Sequence, residues 1–177
     1  FVLSSVTAGP LKALTTPQRV NISLMCVPTP FHEGVGIPQP NLVYVLSATR
    51  SIAGFVKPGD MVILESTSPV GTTEMMAKVL GDAGVDVSKV HMAYCPERVL
   101  PGKIMTELVE NDRVVGGLTP EATQLVCDFY RTFVRGGVLA TDAKTAEMCK
   151  LTENSFRDVN IAFANELSLL CAKEGIN

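Results

Sequence analysis

Apolar residues in this chain fall into short unbroken runs and into longer stretches with helical spacing. The short runs are typical of buried β-strands and lie at residues 20–27, 61–64, 90–94, 113–115 and 138–140. Apolar residues recur every three or four positions over 41–55, about 74–80, 119–134 and 141–177, which predicts helices there. Strands that alternate with helices through short loops form a parallel sheet covered by helices. The pattern therefore predicts an α/β fold.

The last predicted helix is the longest, and it has two unlike faces. Asp142 is its expected N-cap and Gly175 its expected stop. At about 100° per residue, one broad apolar face collects Met148, Leu151, Phe156, Val159, Ala162, Phe163, Leu167 and Leu170. The opposite face collects Glu147, Lys150, Asn154, Arg157, Asp158, Asn160, Asn165 and Ser168.

Lys150 and Asn154 are four residues apart, so their side chains project together from consecutive turns of this helix. A cation beside an amide can hold an alcohol and help to deprotonate it. The alternative is that the amides of this face cap loops or join two helices. The helix alone does not separate these two interpretations.

Composition excludes several classes of function. Hydrophobic residues make up 46% of the 177 residues, so a sizeable core is expected. The net charge of −3 argues against a nucleic-acid or anionic membrane partner, because such surfaces need clustered Lys and Arg. No apolar run approaches the roughly 18 residues of a membrane span, and no signal peptide is recognised.

Cysteine and histidine usage points to a reducing compartment without a metal site. The five cysteines are an odd set with no CxxC spacing, which is typical of core residues in a cytoplasmic protein. His32 and His91 are too far apart for an HExxH-type site, so no metal is expected.

Three loops follow the first three strands, where ligands bind in parallel α/β sheets. They span residues 28–30, 66–73 and 95–103, and all are polar or rich in Pro and Gly. The second loop enters a helix, whose free N–H groups favour an anion or a polar ligand group. The alternative for that loop is an ordinary cluster of capping hydroxyls.

Two charged residues near the third loop have open roles. Glu97 could position a water or act as a base, or it could pair locally with Arg98 or Lys103. Arg113 could clamp a phosphate, or it could form a structural pair with Asp112, which we favour.

Five segments, taken together, resemble the nucleotide-sugar 6-dehydrogenases. They are CVPTP at 26–30, ESTSPVGT at 65–72, YCPER at 94–98, NDR at 111–113 and AEMCKLTEN at 146–154. In order and spacing the match covers nearly all of residues 20–177. It implies the second half of a Rossmann-like parallel sheet followed by the start of a long central dimerisation helix. On this basis residues 1–141 are the C-terminal part of an NAD-binding domain, truncated at its start, and residues 142–177 begin a central helical domain.

The resemblance implies a four-electron oxidation with NAD as cofactor. The C6 alcohol of a UDP-sugar becomes an aldehyde, then a cysteine-bound thiohemiacetal and thioester, then a carboxylate. The motif variants are most similar to those of family members that act on UDP-N-acetyl-D-mannosamine. A homodimer through the long helix is also implied, whereas no nucleic acid or membrane is expected as a partner.

Site residues follow from the motifs that match. Lys150 and Asn154 correspond to the pair that binds the reacting oxygens of the sugar and stabilises developing negative charge. Glu97 corresponds to the glutamate associated with the catalytic water. Thr67 corresponds to a threonine that touches the cofactor and helps to hold that water, while Pro28 and Thr29 lie in the other cofactor loop.

The chain departs from the family pattern in ways that limit these assignments. Pro101 stands where glucose-type members carry a second acid, so the role of that acid is not transferred. None of the five cysteines has the glycine-rich context of the nucleophile, and no GxGxxG motif is found. We therefore expect the 177-residue piece to be inactive by itself.

Two other functions remain open at the level of sequence. Hydroxyacid dehydrogenases of the 6-phosphogluconate type also place a lysine and an asparagine four residues apart on a long helix, but they transfer one hydride and need no cysteine. A non-catalytic scaffold would use the apolar face of the long helix for oligomer formation.

Overall fold

One five-stranded sheet forms the centre of the molecule. The computed structural model describes residues 22–32, 34, 36–99 and 102–176. The strands lie side by side in chain order: β1 (Ile22–Met25), β2 (Met61–Leu64), β3 (His91–Tyr94), β4 (Arg113–Gly117) and β5 (Val138–Asp142). Each predicted apolar run thus contains a strand, and the predicted α/β class is confirmed. Residues 20 and 21 of the first run lie outside the described residues.

Strand direction changes once within the sheet. β1, β2 and β3 are parallel, but β4 is antiparallel to β3, with Ala93 opposite Gly117. β5 is then parallel to β4. The expected sheet was parallel throughout. The difference arises because the segment after β3 stays at the carboxyl edge of that strand, so β4 starts there and runs back.

Five helices accompany the strands: α1 (Val43–Ile52), α2 (Thr72–Asp82), α3 (Ile104–Glu110), α4 (Pro120–Arg131) and α5 (Ala143–Glu174). Four of them were predicted with shifted ends. The seven-residue α3 was not predicted, and it has no buried residue to generate a helical pattern. A short 3-10 turn at Val87–Lys89 was also missed.

The sheet is covered on both faces, and alternate strand residues enter different cores. On β2, Val62 and Leu64 point into the core shared with α1 and α2, whereas Ile63 points into the other core. That second core receives Val126 and Tyr130 from α4. The three-layer arrangement leaves the carboxyl ends of β1, β2 and β3 at one edge.

The cap and stop residues of the long helix α5 are the predicted ones. Asp142 accepts a hydrogen bond from the Thr145 N–H at 2.9 Å, and Gly175 has φ of +66° at the C-terminal end. α5 has 32 residues, but neither it nor any other helix in the described part of the chain is long and apolar enough to cross a membrane.

Only the first turns of α5 are buried, and they do not bury its apolar face. Its buried residues are Ala143, Ala146, Glu147 and Lys150. The apolar face is exposed, including Phe156 at 71% and Phe163 at 68%. The polar side of the helix is therefore turned towards the sheet over the first two turns.

A glycine on β4 allows α5 to start against the sheet. A Cβ atom on Gly116 would lie 2.1 Å from the main-chain oxygen of Asp142 and 2.8 Å from Cβ of Ala146. No residue larger than glycine fits that approach without moving the start of α5.

Candidate functional site

Lys150 and the loop that carries Glu97 meet at the carboxyl edge of β3. Lys150 lies on α5 and is only 9% exposed. Its Nζ donates a hydrogen bond to the main-chain oxygen of Glu97 at 2.8 Å. Burial lowers the pKa of the lysine below its usual value, and the carboxylates of Glu97 and Glu153 partly oppose that shift. Asn154 follows one turn along α5 and is half-buried. The structure thus brings together the helix and the loop that the motifs single out.

The carboxylate of Glu97 is folded back onto its own loop. It accepts a hydrogen bond from the Val99 N–H, while the Glu97 N–H donates to the Glu65 main-chain oxygen at 3.3 Å. Arg98 pairs with Glu153 of α5 at 2.5 Å, so the expected alternative of a Glu97–Arg98 pair is not formed. Two side-by-side contacts, from Lys150 and from Glu153, therefore hold this loop against α5.

An open cleft of about 720 Å³ lies between this loop and α5. Residues that line it include Arg98, Lys150, Glu153, Phe156, Arg157 and Asn160. Arg98 and Arg157 bring guanidinium groups, which match phosphate oxygens in two-point geometry. Phe156 adds an exposed ring. This mixture suits an anionic ligand with a flat apolar part.

The two loops assigned to the cofactor are joined through one hydroxyl. Ser66 Oγ donates to the Val27 main-chain oxygen at 2.7 Å and accepts from the Val27 N–H at 2.8 Å. Pro28 is exposed, and Thr29 and Thr67 are half-buried. The loops after β1 and β2 therefore lie side by side at the same sheet edge. The individual roles of Pro28, Thr29 and Thr67 stay predictions.

The start of α2 is occupied by a carboxylate from α5. Glu147 accepts hydrogen bonds from the Gly71 N–H at 2.6 Å, the Thr73 N–H at 2.9 Å and the Thr73 hydroxyl at 2.7 Å. The expectation that these N–H groups would bind a ligand anion is therefore wrong. An internal carboxylate already satisfies them.

A second polar cluster joins the ends of β1, β2 and α4. Glu65 accepts from the Cys26 thiol at 3.2 Å and from the Tyr130 hydroxyl. Burial first, and then the charge of Glu65, raise the pKa of Cys26 to about 12. Burial also raises the pKa of Cys95 to about 12. Both thiols are protonated at neutral pH, which makes them poor nucleophiles.

Arg113 has neither of the roles considered for it. Its side chain is 1% exposed, donates to the Leu108 main-chain oxygen at 3.1 Å and stacks on Tyr130 with 5.6 Å from Cζ to the ring centre. It cannot reach a phosphate in solvent. Asp112 instead accepts from the Gly137 N–H at 2.6 Å, so the favoured Asp112–Arg113 pair is also wrong.

Sequence reasoning missed three residues of this region. Glu147 was placed on the polar face without a role, and Arg98 and Arg157 were not assigned to a ligand. The signal for Glu147 was its spacing of three residues from Lys150, which puts both on one face. In the part of the chain that the structure describes, no group of His, Cys, Asp and Glu could hold a metal ion.

Two family models match successive parts of this chain. The model of the UDP-glucose/GDP-mannose dehydrogenase family, NAD binding domain, matches residues 2–134, and that of the same family's central domain matches residues 144–177. The UDP-N-acetyl-D-mannosamine dehydrogenase of Yersinia pestis is 53% identical over 98% of this chain and 43% of its own length. The NDP-N-acetyl-D-galactosaminuronic acid dehydrogenase of Ralstonia solanacearum is 51% identical over 100% of this chain and 43% of its own length.

A solved structure gives the same result for the fold. The UDP-D-ManNAc dehydrogenase of Pyrococcus horikoshii superposes with a TM-score of 0.82 at 46% identity, covering 89% of this chain and 37% of that one. This chain therefore spans less than half the length of the relatives that it matches. With both family models in their expected order along nearly all of the sequence, the chain belongs to the UDP-glucose/GDP-mannose dehydrogenase family.

Proposed function

We propose that the protein containing this chain oxidises the C6 alcohol of a UDP-sugar to a carboxylate and passes two hydrides to two NAD⁺. One observation carries the proposal: the buried Lys150 ammonium sits against the Glu97 loop at a cleft that also contains Arg98 and Arg157. A nucleoside diphosphate needs cations in such a cleft, and an alcohol that loses its proton before hydride transfer needs a buried donor beside its oxygen.

Lys150 acts first through electrostatics. As the alcohol at C6 loses its proton, negative charge grows on its oxygen, and an ammonium held in a dry site stabilises that charge more than water would. Loss of hydride from C6 to NAD⁺ then gives the neutral carbonyl. The lowered pKa favours the neutral amine, which can accept the alcohol proton and so become that ammonium. Asn154, one turn away, orients the same part of the sugar through its amide.

Glu97 serves the second half of the reaction. Its carboxylate lies in the loop fixed by Lys150 and can hold the water that completes the acid. The nucleophile for the covalent stage is not assigned to Cys26 or Cys95, because both thiols hold their protons at neutral pH.

NAD⁺ would be held by Pro28, Thr29 and Thr67, and it supplies the hydride acceptor. The residues fit this task because Ser66 fastens the loop of Thr67 to the loop of Thr29 at the sheet edge. The two loops thus lie side by side, where both could contact the nicotinamide ring.

The proposed sugar is UDP-N-acetyl-D-mannosamine. Relatives at 53% and 51% identity are named for different N-acetylated sugars, so the class of N-acetylhexosamine is better supported than the individual sugar. Comparing kcat/KM for UDP-N-acetyl-D-mannosamine with those for UDP-glucose and UDP-N-acetyl-D-glucosamine tests this choice. A preference for UDP-glucose would contradict it.

We also propose a homodimer through α5, in the cytoplasm. The exposed apolar face of α5, with Phe156, Val159 and Phe163, is the surface offered to the partner helix. All five cysteines are free, which fits a reducing compartment.

Replacement of Lys150 in the full-length protein tests the function directly. We expect Lys150→Ala to lower kcat about 100-fold or more, as when an oxyanion donor is removed. Lys144→Ala is the matched control, because Lys144 lies on the same helix in an exposed pair with Glu74. NADH formation measures both. Equal turnover in Lys150→Ala and wild type would show that Lys150 has a structural and not a catalytic role.

The number of NADH formed per sugar separates the remaining enzyme alternative. A UDP-sugar 6-dehydrogenase forms two NADH per molecule, whereas a 6-phosphogluconate-type enzyme forms one. End-point absorbance with limiting sugar gives this ratio, and a ratio of one would contradict the proposal.

A further inference from the structure

Glu147 is a buried carboxylate whose contacts reach across two elements. It is 0% exposed, and both of its oxygens are engaged by the start of α2. Its partners, Gly71 and Thr73, are 76 and 74 residues away in sequence. The contact is therefore a joint between α5 and α2 and not a local helix cap.

The hydroxyls near the start of α2 are used elsewhere, although they could have capped it. Ser68 Oγ donates to the Ser66 main-chain oxygen at 2.9 Å, and Thr72 Oγ1 donates to the Pro69 main-chain oxygen at 2.6 Å. Gly71, in the N-cap position, has no side chain. The local residues shape the loop, and the capping of the helix is left to Glu147.

The contact of Glu147 with the start of α2 lies between two parts of the candidate site: Lys150 on α5 and the loop of Thr67. Glu147 precedes Lys150 by one turn on α5, so the two side chains leave the same face of the helix. Gly71 is four residues after Thr67, at the end of the loop that follows β2. Any shift of Glu147 against Gly71 would change the separation between Lys150 and the Thr67 loop.

We propose that Glu147 is a positioning residue that sets this separation for the oxidation. The inference depends on the proposed function but adds a residue to which the comparisons give no role. Glu147 touches neither sugar nor NAD⁺; it acts through the loop of Thr67 and through the turn of α5 that bears Lys150. Misplacing a reacting group by about 1 Å can cost on the order of 100-fold in rate.

Single-turnover kinetics of full-length Glu147→Gln tests the proposal. Glutamine keeps the shape of the side chain but replaces one acceptor by an N–H donor, which faces N–H groups of α2. We expect the rate constant for the first hydride transfer to fall about 10- to 100-fold. The amplitude, which counts active molecules, should stay near that of wild type.

Asp142→Asn is the matched control. Asp142 also accepts from a backbone N–H and a threonine hydroxyl, both of Thr145, and neither of these bonds reaches the loop of Thr67. We expect its rate constant to stay within about 3-fold of wild type, since a cap contributes to helix stability and not to site geometry.

The outcomes separate a positioning role from a structural one. A reduced amplitude with an unchanged rate constant would show that Glu147 only stabilises the fold, and the proposal would be overturned. A wild-type rate constant with full amplitude would overturn it as well. If Glu147→Gln does not fold, Thr73→Val removes only the 2.7 Å hydroxyl bond and should slow the same step about 3- to 10-fold; no slowing would reject the proposal.

Lys150→Ala distinguishes this failure from that of the proposed function. A normal rate constant in Glu147→Gln beside a large loss in Lys150→Ala rejects the positioning role alone. No turnover of any UDP-sugar by wild type rejects the proposed function itself, and normal turnover in Lys150→Ala rejects the catalytic role given to Lys150.

Discussion

The helices α4 and α5 both carry an apolar face in sequence, but only α4 buries that face within this chain. α4 buries its apolar side, including Val126 and Tyr130, against the sheet. α5 buries Glu147 and Lys150 and exposes Phe156. The apolar face of a helix thus predicts which side is buried only where another part of the same chain covers that face.

The polar face of α5 is buried because each inward group has a specific partner. Glu147 receives three hydrogen bonds from the start of α2, and Lys150 donates to the Glu97 carbonyl. A buried charge without such partners would be destabilising by several kcal/mol. The comparison teaches that α4 is oriented by hydrophobic burial, whereas the first turns of α5 are oriented by hydrogen bonds that build the candidate site.

The largest expected effect concerns the two matched aromatic residues of these helices. Tyr130→Ala on α4 should lower the free energy of unfolding by about 3–5 kcal/mol, because the ring is 1% exposed in the core. Phe163→Ala on α5, at 68% exposure, should change it by less than about 0.5 kcal/mol. Denaturant unfolding at low protein concentration measures both. If both variants lose the same free energy of unfolding at every protein concentration, then Phe163 is covered by another part of its own subunit.

The next effect is on subunit association. Phe163→Lys should weaken the proposed dimer roughly 10- to 100-fold, since a charge would replace a ring at the centre of an apolar contact. Asn165→Lys, on the opposite face of α5, adds the same charge and should leave association unchanged. Sedimentation equilibrium gives both dissociation constants. An unchanged dissociation constant in Phe163→Lys would show that the dimer interface does not include the apolar face of α5.

The smallest effect is a gain in stability. Lys150→Met keeps the length of the side chain but removes a buried charge, and should raise Tm by about 2–4 °C while abolishing turnover. Because the pKa of Lys150 is lowered in the folded state, its charge opposes folding at pH values below that lowered pKa. That cost is relieved as pH rises from the lowered pKa towards the ordinary value. The difference in Tm should therefore shrink at alkaline pH, and a constant difference would contradict this origin.

Local sequence signals predicted most of the fold. Asp142 and Gly175 bound α5 as expected, because caps and stops depend on adjacent residues. The reversed direction of β4 depends on where the preceding segment travels, which apolar periodicity does not encode. The seven-residue α3 lacks a buried face and left no pattern.

The candidate site was predictable only in part. Motifs located Lys150 and Glu97, and the structure joins them through a main-chain oxygen. The contact of Glu147 with Gly71 was not foreseen, because it links residues 76 positions apart and has no spacing rule. Arg113 shows the same limit: its charge suggested a ligand, but its surroundings make it a core residue.

The absence of a side chain at Gly116 affects the candidate site, although Gly116 is not part of it. Since the Asp142 carbonyl lies where a methyl group would be, an alanine there would push the first turn of α5 outward. Lys150 lies only two turns further along α5, so a displacement of the first turn would also move Lys150 and change the cleft. A mutational survey of this protein should thus find a position that touches no ligand, contributes no side-chain atom, and still tolerates no replacement.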